Sequence, residues 1–368
     1  MISSKMNKLN VAVIVISLSR GGAERSTGTI SKILENLGHS VTLISIIDEN
    51  EFEHGGEYYA LGSTKNYKTV FGRKISKFLD AYQLFQKINF DVVIDGRTRP
   101  LFLKELIFNN LIFKNIPVVR IMHNSYLPQS FPKLKWQARY LYKNDSLIAV
   151  SKKAQQIVED TYGFDNVRTI NYPVSQKKIV ESAQAELNIL ETNYVLFYGR
   201  FDNESKNLLF LLEAYSMSKL SELGIPLILV GKGPDKPTIE NKIKELNLIY
   251  HVIFKNYTPN PMPYVKKALF TVMTSNFEGF PMTLIESLTL GTPVVTLDFI
   301  SGPSEIIETG VNGILVTTKT TKAFSLALNK MVEDVEFYNK CVQGTFESIK
   351  YFDNFYIAKK WETLLNEL

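Results

Sequence analysis

Phe277-Glu278-Gly279-Phe280-Pro281-Met282-Thr283-Leu284-Ile285-Glu286, running on to Gly291-Thr292-Pro293, is the stretch whose reading decides the fold. The apolar run before it, Leu269-Phe270-Thr271-Val272-Met273, reads as a buried strand. Thr274 to Pro281 is then a loop at that strand's carboxyl end. Met282 to Leu290 reads as a helix, with Pro281 at or just before its first turn, where a missing N–H costs little. Gly291 and Pro293 close the helix, and Pro293-Val294-Val295-Thr296-Leu297 is the next strand. A loop and a helix N-terminus therefore meet at the end of a parallel strand, where open α/β sheets bind ligands.

Seven residues separate two carboxylates in this stretch, Glu278 in the loop and Glu286 in the second helical turn. The first backbone N–H groups of the helix, at Met282 and Thr283, lie between them. A helix N-terminus attracts anions, and carboxylates accept hydrogen bonds from sugar hydroxyls. Two readings stand on these residues alone. Glu278 is a solvated loop charge and Glu286 a partner of the helix dipole, or the pair grips hydroxyls on either side of a bound phosphate.

With Glu-Gly-Phe-Pro ahead of the helix and Glu-x7-Glu across it, the chain resembles the retaining glycosyltransferases of family 4. The resemblance implies the GT-B fold, two Rossmann-like α/β domains facing a central cleft. It implies that Glu278 contacts the donor sugar and Glu286 the ribose hydroxyls. It places Gly279, Phe280, Pro281, Met282 and Thr283 against the nucleotide sugar.

The 368 residues suffice for two domains, and a hydrophobic content of 45% supports full cores. Cys341 is the single cysteine, which excludes an internal disulfide and fits a reducing compartment, so a cytoplasmic location is expected. Four scattered His show no metal spacing, and no Asp-x-Asp cluster is present, so no metal is expected to be obligatory. Lys5 and Lys8 before Leu9 to Leu18 imitate a signal peptide. The run lacks a small-residue cleavage site and is rich in β-branched residues, so it reads as a strand.

Charge is unevenly shared: residues 1–190 hold 25 basic and 17 acidic residues, and residues 191–368 hold 17 and 20. Within 104–143 seven basic residues face one acidic residue, Glu105, with Phe131, Trp136, Tyr140 and Tyr142 interleaved. This tract is a solvated helix face or a contact for an anionic membrane at its inner surface. No nucleic-acid motif accompanies it.

The first half alternates strands, at 9–18, 41–47, 91–95, 117–122 and 146–150, with helices, at 24–37, 72–88, 100–109, 133–143 and 152–162. Such alternation predicts a parallel sheet covered on both faces. Ser19-Arg20-Gly21-Gly22-Ala23-Glu24 is the first strand-to-helix turn, a tight turn or a loop that lets backbone approach a ligand. The resemblance implies that Gly21 and Gly22 face the donor diphosphate and the acceptor. After the third strand, Arg97 and Arg99 are candidates to grip an acceptor phosphate, against the default of a surface loop. His123 closes the next strand as a packed residue or a ligand contact. By resemblance, its ring or backbone, with Asn124 beside it, meets the donor sugar. Ser151 reads as an N-cap. Val167 to Val174 ends the first domain. The family usually reads Asn-Pro there, and here Tyr172 is inserted between Asn171 and Pro173.

Ser175 to Glu191 is polar and reads as a flexible linker. The expected organisation is an acceptor domain over 1–178, a nucleotide-sugar domain over 179–350, and a final helix, 351–368, returning to the first domain. In the second half Asn193 to Tyr198 is a strand ending at Gly199-Arg200, with Lys206 beyond. Arg200 and Lys206 beside a helix N-terminus are a diphosphate clamp or two surface cations. The resemblance implies the clamp. It also brings Gly231 and Gly233 close to the nucleotide, and Phe254 and Lys255 near its base.

The implied reaction is transfer of a hexose or N-acetylhexosamine from a UDP-sugar donor, with retention, to a glycan or lipid-linked acceptor in cell-surface polysaccharide, lipopolysaccharide or capsule synthesis. Two rivals remain open, a UDP-sugar epimerase of the same fold and a non-catalytic sugar-nucleotide-binding scaffold.

Overall fold

The computed structural model describes residues 8–19, 21–62, 69–123, 127–187, 191–300 and 302–368. Arg20, Asn124 and Ser301, which belong to motifs quoted above, lie outside the described residues. The chain forms two compact units, residues 1–173 with 354–368, and residues 174–353.

The first unit holds seven strands: β1 (Asn10–Val15), β2 (Ser40–Ser45), β3 (Glu57–Ala60), β4 (Val92–Asp95), β5 (Val118–Met122), β6 (Ser146–Ala149) and β7 (Val167–Thr169). They pair in the order β3-β2-β1-β4-β5-β6-β7, every pairing parallel. All of β4 and β5 is buried, as a sheet covered on both faces requires. The strand order reverses between β1 and β4, which opens a crevice at their carboxyl ends. Two strands escaped the sequence reading. β3 is a half-exposed edge and β7 has three residues, so neither carries an apolar run.

The helices follow from local chemistry. Ser151 caps the helix Lys152–Tyr162 by accepting from Ala154 N at 3.1 Å, and Gly163 ends it at φ 66°. The helix expected over 100–109 is α-helical over Phe102–Ile107 and widens into a π segment over Phe108–Phe113. The last helix, Asn354–Asn366, belongs to this unit and packs on Gly22–Asn36, burying Ile357, Trp361, Leu364 and Leu365.

The second unit repeats the design with β8 (Val195–Arg200), β9 (Leu227–Lys232), β10 (Val252–Lys255), β11 (Phe270–Met273), β12 (Val294–Leu297) and β13 (Gly313–Val316). Their order is β10-β9-β8-β11-β12-β13, again parallel, with the reversal between β8 and β11. Phe197, Leu229, Val272 and Val295 build its core against the helices Leu208–Ser216 and Thr321–Glu333. The segment expected to be a flexible linker is in part a helix, Gln176–Ser182, capped by Ser175 and packed on the helices Met262–Lys267 and Met282–Thr289. Its polar composition reflects a helix with one covered side. Among the described residues no helix is long and apolar enough to cross a membrane.

Candidate functional site

β11 delivers the deciding stretch to the reversal point of the second sheet. The helix begins at Met282, as expected, with Pro281 at its N-cap. The loop before it is stitched to the short helix Asn203–Lys206. Asn276 N bonds Ser205 O at 2.8 Å, and Thr274 Oγ1 donates to Lys206 O at 3.0 Å. This stitching brings Lys206 to Glu278, and the two form an ion pair with side chains 18% and 17% exposed. Ser275, itself buried, donates to the same Glu278 oxygen at 2.7 Å. A cation and an anion are thus held together beside a helix N-terminus. A phosphate can take the ammonium while the carboxylate turns to a hydroxyl.

Glu286 sits one turn inside the helix, half-buried. The Tyr198 hydroxyl lies 3.1 Å from Glu286 Oε2 and 2.8 Å from the carbonyl oxygen of Thr283. Burial, and after it the Glu286 charge, pushes the Tyr198 hydroxyl well above its usual range, so it stays a donor, its one proton shared between the Thr283 carbonyl and the Glu286 carboxylate. Phe280 is buried against Phe352, ring centroids 5.8 Å apart, which anchors the turn between Gly279 and Pro281. Arg200 ends β8 with its side chain 69% exposed and paired with Asp202.

Gly231 and Gly233 have a reason within the fold. A Cβ on Gly231 would stand 1.9 Å from the carbonyl oxygen of Gly199, and one on Gly233 would stand 2.2 Å from that of Phe201. The ends of β8 and β9 pass too closely for a side chain. Lys255 is held by Glu191 at 2.9 Å, and Phe254 packs edge-on against Phe201 at 5.7 Å.

In the first unit, Gly21 caps the helix Gly22–Asn36 in extended backbone at the end of β1. A Cβ on Gly22 would meet nothing within 4 Å. The fold does not require that glycine, so the space above it is open. His123 follows β5, its ring bridged between Tyr172 and Gly96.

Arg97 and Arg99 need correction. They are only 2% and 1% exposed and present no guanidinium to an acceptor phosphate. Arg97 forms a two-pronged pair with Asp95, at 2.8 and 2.9 Å, and donates to Glu105 at 3.0 Å. Arg99 donates to the carbonyl oxygens of Asp95 and Ile121. Arg120 joins the cluster through Asp95 and Asp145. Arg120, Phe131 and Tyr142 are buried, so these members of the basic aromatic tract do not reach a surface. Lys133, Lys135, Trp136, Arg139, Tyr140 and Lys143 remain exposed.

Sequence reasoning missed Tyr198, Ser275 and Gly96. Tyr198 carried a weak signal, a hydroxyl closing an otherwise apolar strand beside Gly-Arg. Ser275 sits three residues from Glu278, without a pattern that marks it. Among the described residues no group of three or more His, Cys, Asp or Glu is placed to hold a metal.

Comparison with known proteins bears on these residues. Residues 20–177 match the family model described as Glycosyltransferase Family 4, and residues 180–347 match Glycosyl transferases group 1. A Campylobacter jejuni protein is 28% identical over 371 residues, 96% of this chain and 98% of its own length. It is named N-acetylgalactosamine-N,N'-diacetylbacillosaminyl-diphospho-undecaprenol 4-alpha-N-acetylgalactosaminyltransferase. A Bacillus subtilis poly(glycerol-phosphate) alpha-glucosyltransferase is 28% identical over 163 residues, 44% of this chain and 24% of that longer protein. Among solved structures, Anabaena HepE in complex with UDP and glucose superposes with a TM-score of 0.76 over 98% of this chain and all of that one, at 17% identity. At that identity the likeness is one of fold.

Proposed function

The chain belongs to glycosyltransferase family 4, with the two Rossmann-like units of the GT-B architecture, and we propose that it transfers a hexose or N-acetylhexosamine from a UDP-sugar, with retention, to a glycan or lipid-linked acceptor. The observation that carries this reading is the Lys206–Glu278 pair at the mouth of the Met282–Thr289 helix, with Tyr198-held Glu286 behind it. The first unit serves the acceptor and the second the nucleotide sugar. HepE was solved with UDP and glucose, and the Campylobacter relative is named for a diphospho-undecaprenol acceptor; they favour a UDP-sugar donor and a lipid-linked acceptor.

The physical problem in such a transfer is charge on the departing diphosphate. Arg200, Lys206 and the helix N–H groups near Met282 and Thr283 stabilise that charge where it develops. Glu278 takes a donor-sugar hydroxyl and Glu286 the ribose hydroxyls. Gly231, Gly233, Phe254 and Lys255 lie on the nucleotide side, while Gly21, Gly22 and His123 carry the first unit's share of recognition. The acceptor hydroxyl attacks on the leaving-group face and passes its proton to a diphosphate oxygen, so neither a protein nucleophile nor an obligatory metal is invoked.

Exposed apolar side chains on three elements of the first unit support a peripheral membrane contact. Ile75 and Leu79 lie on Val70–Lys87, Leu103 and Ile107 on Phe102–Ile107, and Trp136 and Tyr140 on Lys135–Tyr142. The latter two helices touch, with Phe102 and Trp136 centroids 5.4 Å apart. Exposed Lys and Arg surround them, and the two acids of these helices, Asp80 and Glu105, are bound to Tyr59 and Arg97. Cationic, aromatic and apolar together fit an anionic bilayer.

A panel of UDP-sugars, read by UDP release with and without a membrane extract of the source cells, tests the function. Acceptor-dependent release is expected. Isomerised sugar without acceptor would favour the epimerase, and binding without release the scaffold.

A further inference from the structure

Tyr172 interrupts the family's Asn-Pro pair, and the fold gives the extra residue an occupation. It follows β7, while His123 follows β5, and the two side chains meet at the carboxyl ends of the sheet. The Tyr172 oxygen lies 2.6 Å from His123 Nδ1, with ring centroids 5.8 Å apart. His123 Nε2 lies 3.0 Å from the carbonyl oxygen of Gly96. A carbonyl only accepts, so Nε2 carries the proton.

Burial, and after it the Arg99 charge, pushes the His123 imidazole down to about 4, and the ring is neutral at pH 7. Nδ1 is therefore a bare acceptor, and the Tyr172 hydroxyl donates to it. Tyr172 is 3% exposed, and burial, with Glu24 second, keeps its hydroxyl protonated. The charged groups facing the pair are Arg99 and Asp95 from the segment after β4 and Glu24 from the helix after β1. Gly96 completes the seat: a Cβ there would stand 3.2 Å from Nε2 and 3.3 Å from Thr27 Oγ1.

We propose that Tyr172 is a positioning residue that, together with the Gly96 carbonyl, holds His123 as the Nε2–H tautomer, both ring nitrogens engaged, so that the ring neither gives nor takes a proton during transfer. His123 then meets the donor through its main chain and the carbon edge of its ring. The lock stands on the geometry of the first unit; its bearing on transfer rests on the family reading of His123.

Long-range proton–nitrogen spectra of the full chain labelled at its four His test the lock without any substrate, with His123→Gln giving the assignment. The wild-type ring is expected as the pure Nε2–H form, with no titration from pH 7.5 to 5. Tyr172→Phe keeps the ring and removes the donor. Its spectrum is expected to show an altered Nδ1 signal and a midpoint above the wild type's, because a hydrogen bond to the neutral form had opposed protonation, yet below 6.5, because burial and the Arg99 charge remain. Turnover of the accepted UDP-sugar by this variant is expected to show an acid-side ionisation that follows this raised midpoint and lies above any shown by the wild type. An Nδ1–H form or a midpoint near 6.5 in the wild type would overturn the proposal, as would a Tyr172→Phe spectrum unchanged from it. Altered spectra with an unaltered pH–rate profile would remove His123 from the donor and end Tyr172's positioning role.

Discussion

Lys206 and Glu278 are paired across 72 residues of sequence, and Ser275 donates to the shared carboxylate oxygen. Their side chains are each under one-fifth exposed, so the pair is screened less than a surface pair yet open enough to exchange partners. In the proposed transfer an arriving diphosphate competes for the ammonium, which frees the carboxylate for a sugar hydroxyl. Lys206→Ala and Glu278→Ala should each lower turnover by about 100-fold or more, the scale of losing one charge-stabilising contact. Steady-state rates by UDP release check this, and near-normal rates in either variant would reject the assignment.

The two glycine pairs make opposite predictions. Gly231→Ala puts a methyl group 1.9 Å from the Gly199 carbonyl oxygen. Overpacking of this kind costs about 1–3 kcal/mol, so its melting temperature should fall. Gly22→Ala meets nothing within 4 Å and opens a helix, where Ala is better than Gly by roughly 0.5–1 kcal/mol. Its melting temperature should hold or rise while turnover drops at least about tenfold, because the methyl would occupy space that the proposed function gives to the donor. A Gly22→Ala enzyme of full activity would return that turn to a purely structural role.

Asp95 lies beneath Arg97, Arg99 and Arg120, wholly buried. Burial alone would raise its pKa. Arg97 first and then Arg99 outweigh that and hold the carboxyl well below the usual carboxylate range. A lowered folded pKa stabilises the fold above the unfolded value near 3.8, and the contribution is lost as pH falls through the folded one. Asp95→Asn strands buried guanidiniums and should cost about 3–5 kcal/mol at pH 7. Urea titrations at pH 7, 4 and 3 check both parts. The wild type should weaken below pH 4, and the gap between wild type and variant should narrow there. A constant gap would mean that Asp95 is not the titrating group.

The chain's legibility divides by the range of the contacts involved. β11, the loop through Glu278, the Met282–Thr289 helix and β12 are contiguous, and their burial and turn chemistry are written within 30 residues. Strands such as Val92–Asp95 are buried on both faces and so announce themselves as apolar runs. Arg97 and Arg99 misled because their neutralising partners include Glu105, and because the third guanidinium on Asp95 comes from Arg120, 25 residues on. A loop of two arginines looks the same whether it faces solvent or a buried carboxylate. Tyr198 was unreadable as a Glu286 partner for the same reason, since Glu286 lies 88 positions further along the chain. The supposed linker misled differently, since a short helix with one covered side has the composition of a coil.

The exposed face of the first unit provides its own probe. The chain has two Trp: Trp361, 1% exposed in the core, and Trp136, 59% exposed beside Tyr140. A change in emission on adding vesicles therefore reports Trp136. Phosphatidylglycerol vesicles at low salt should shift it to the blue, and pure phosphatidylcholine should not, since near-surface cations contribute about 1 kcal/mol each only against an anionic leaflet. Raising the salt should weaken the shift, because the Debye length shrinks from about 30 Å at 0.01 M to about 10 Å at 0.1 M. Reversing Lys133 and Lys135 together should weaken binding at least about tenfold while leaving the melting temperature in place, as both are exposed. An equal shift with both lipids would assign the contact to the apolar side chains alone. Unchanged emission with the anionic vesicles would return the tract to a solvated helix face.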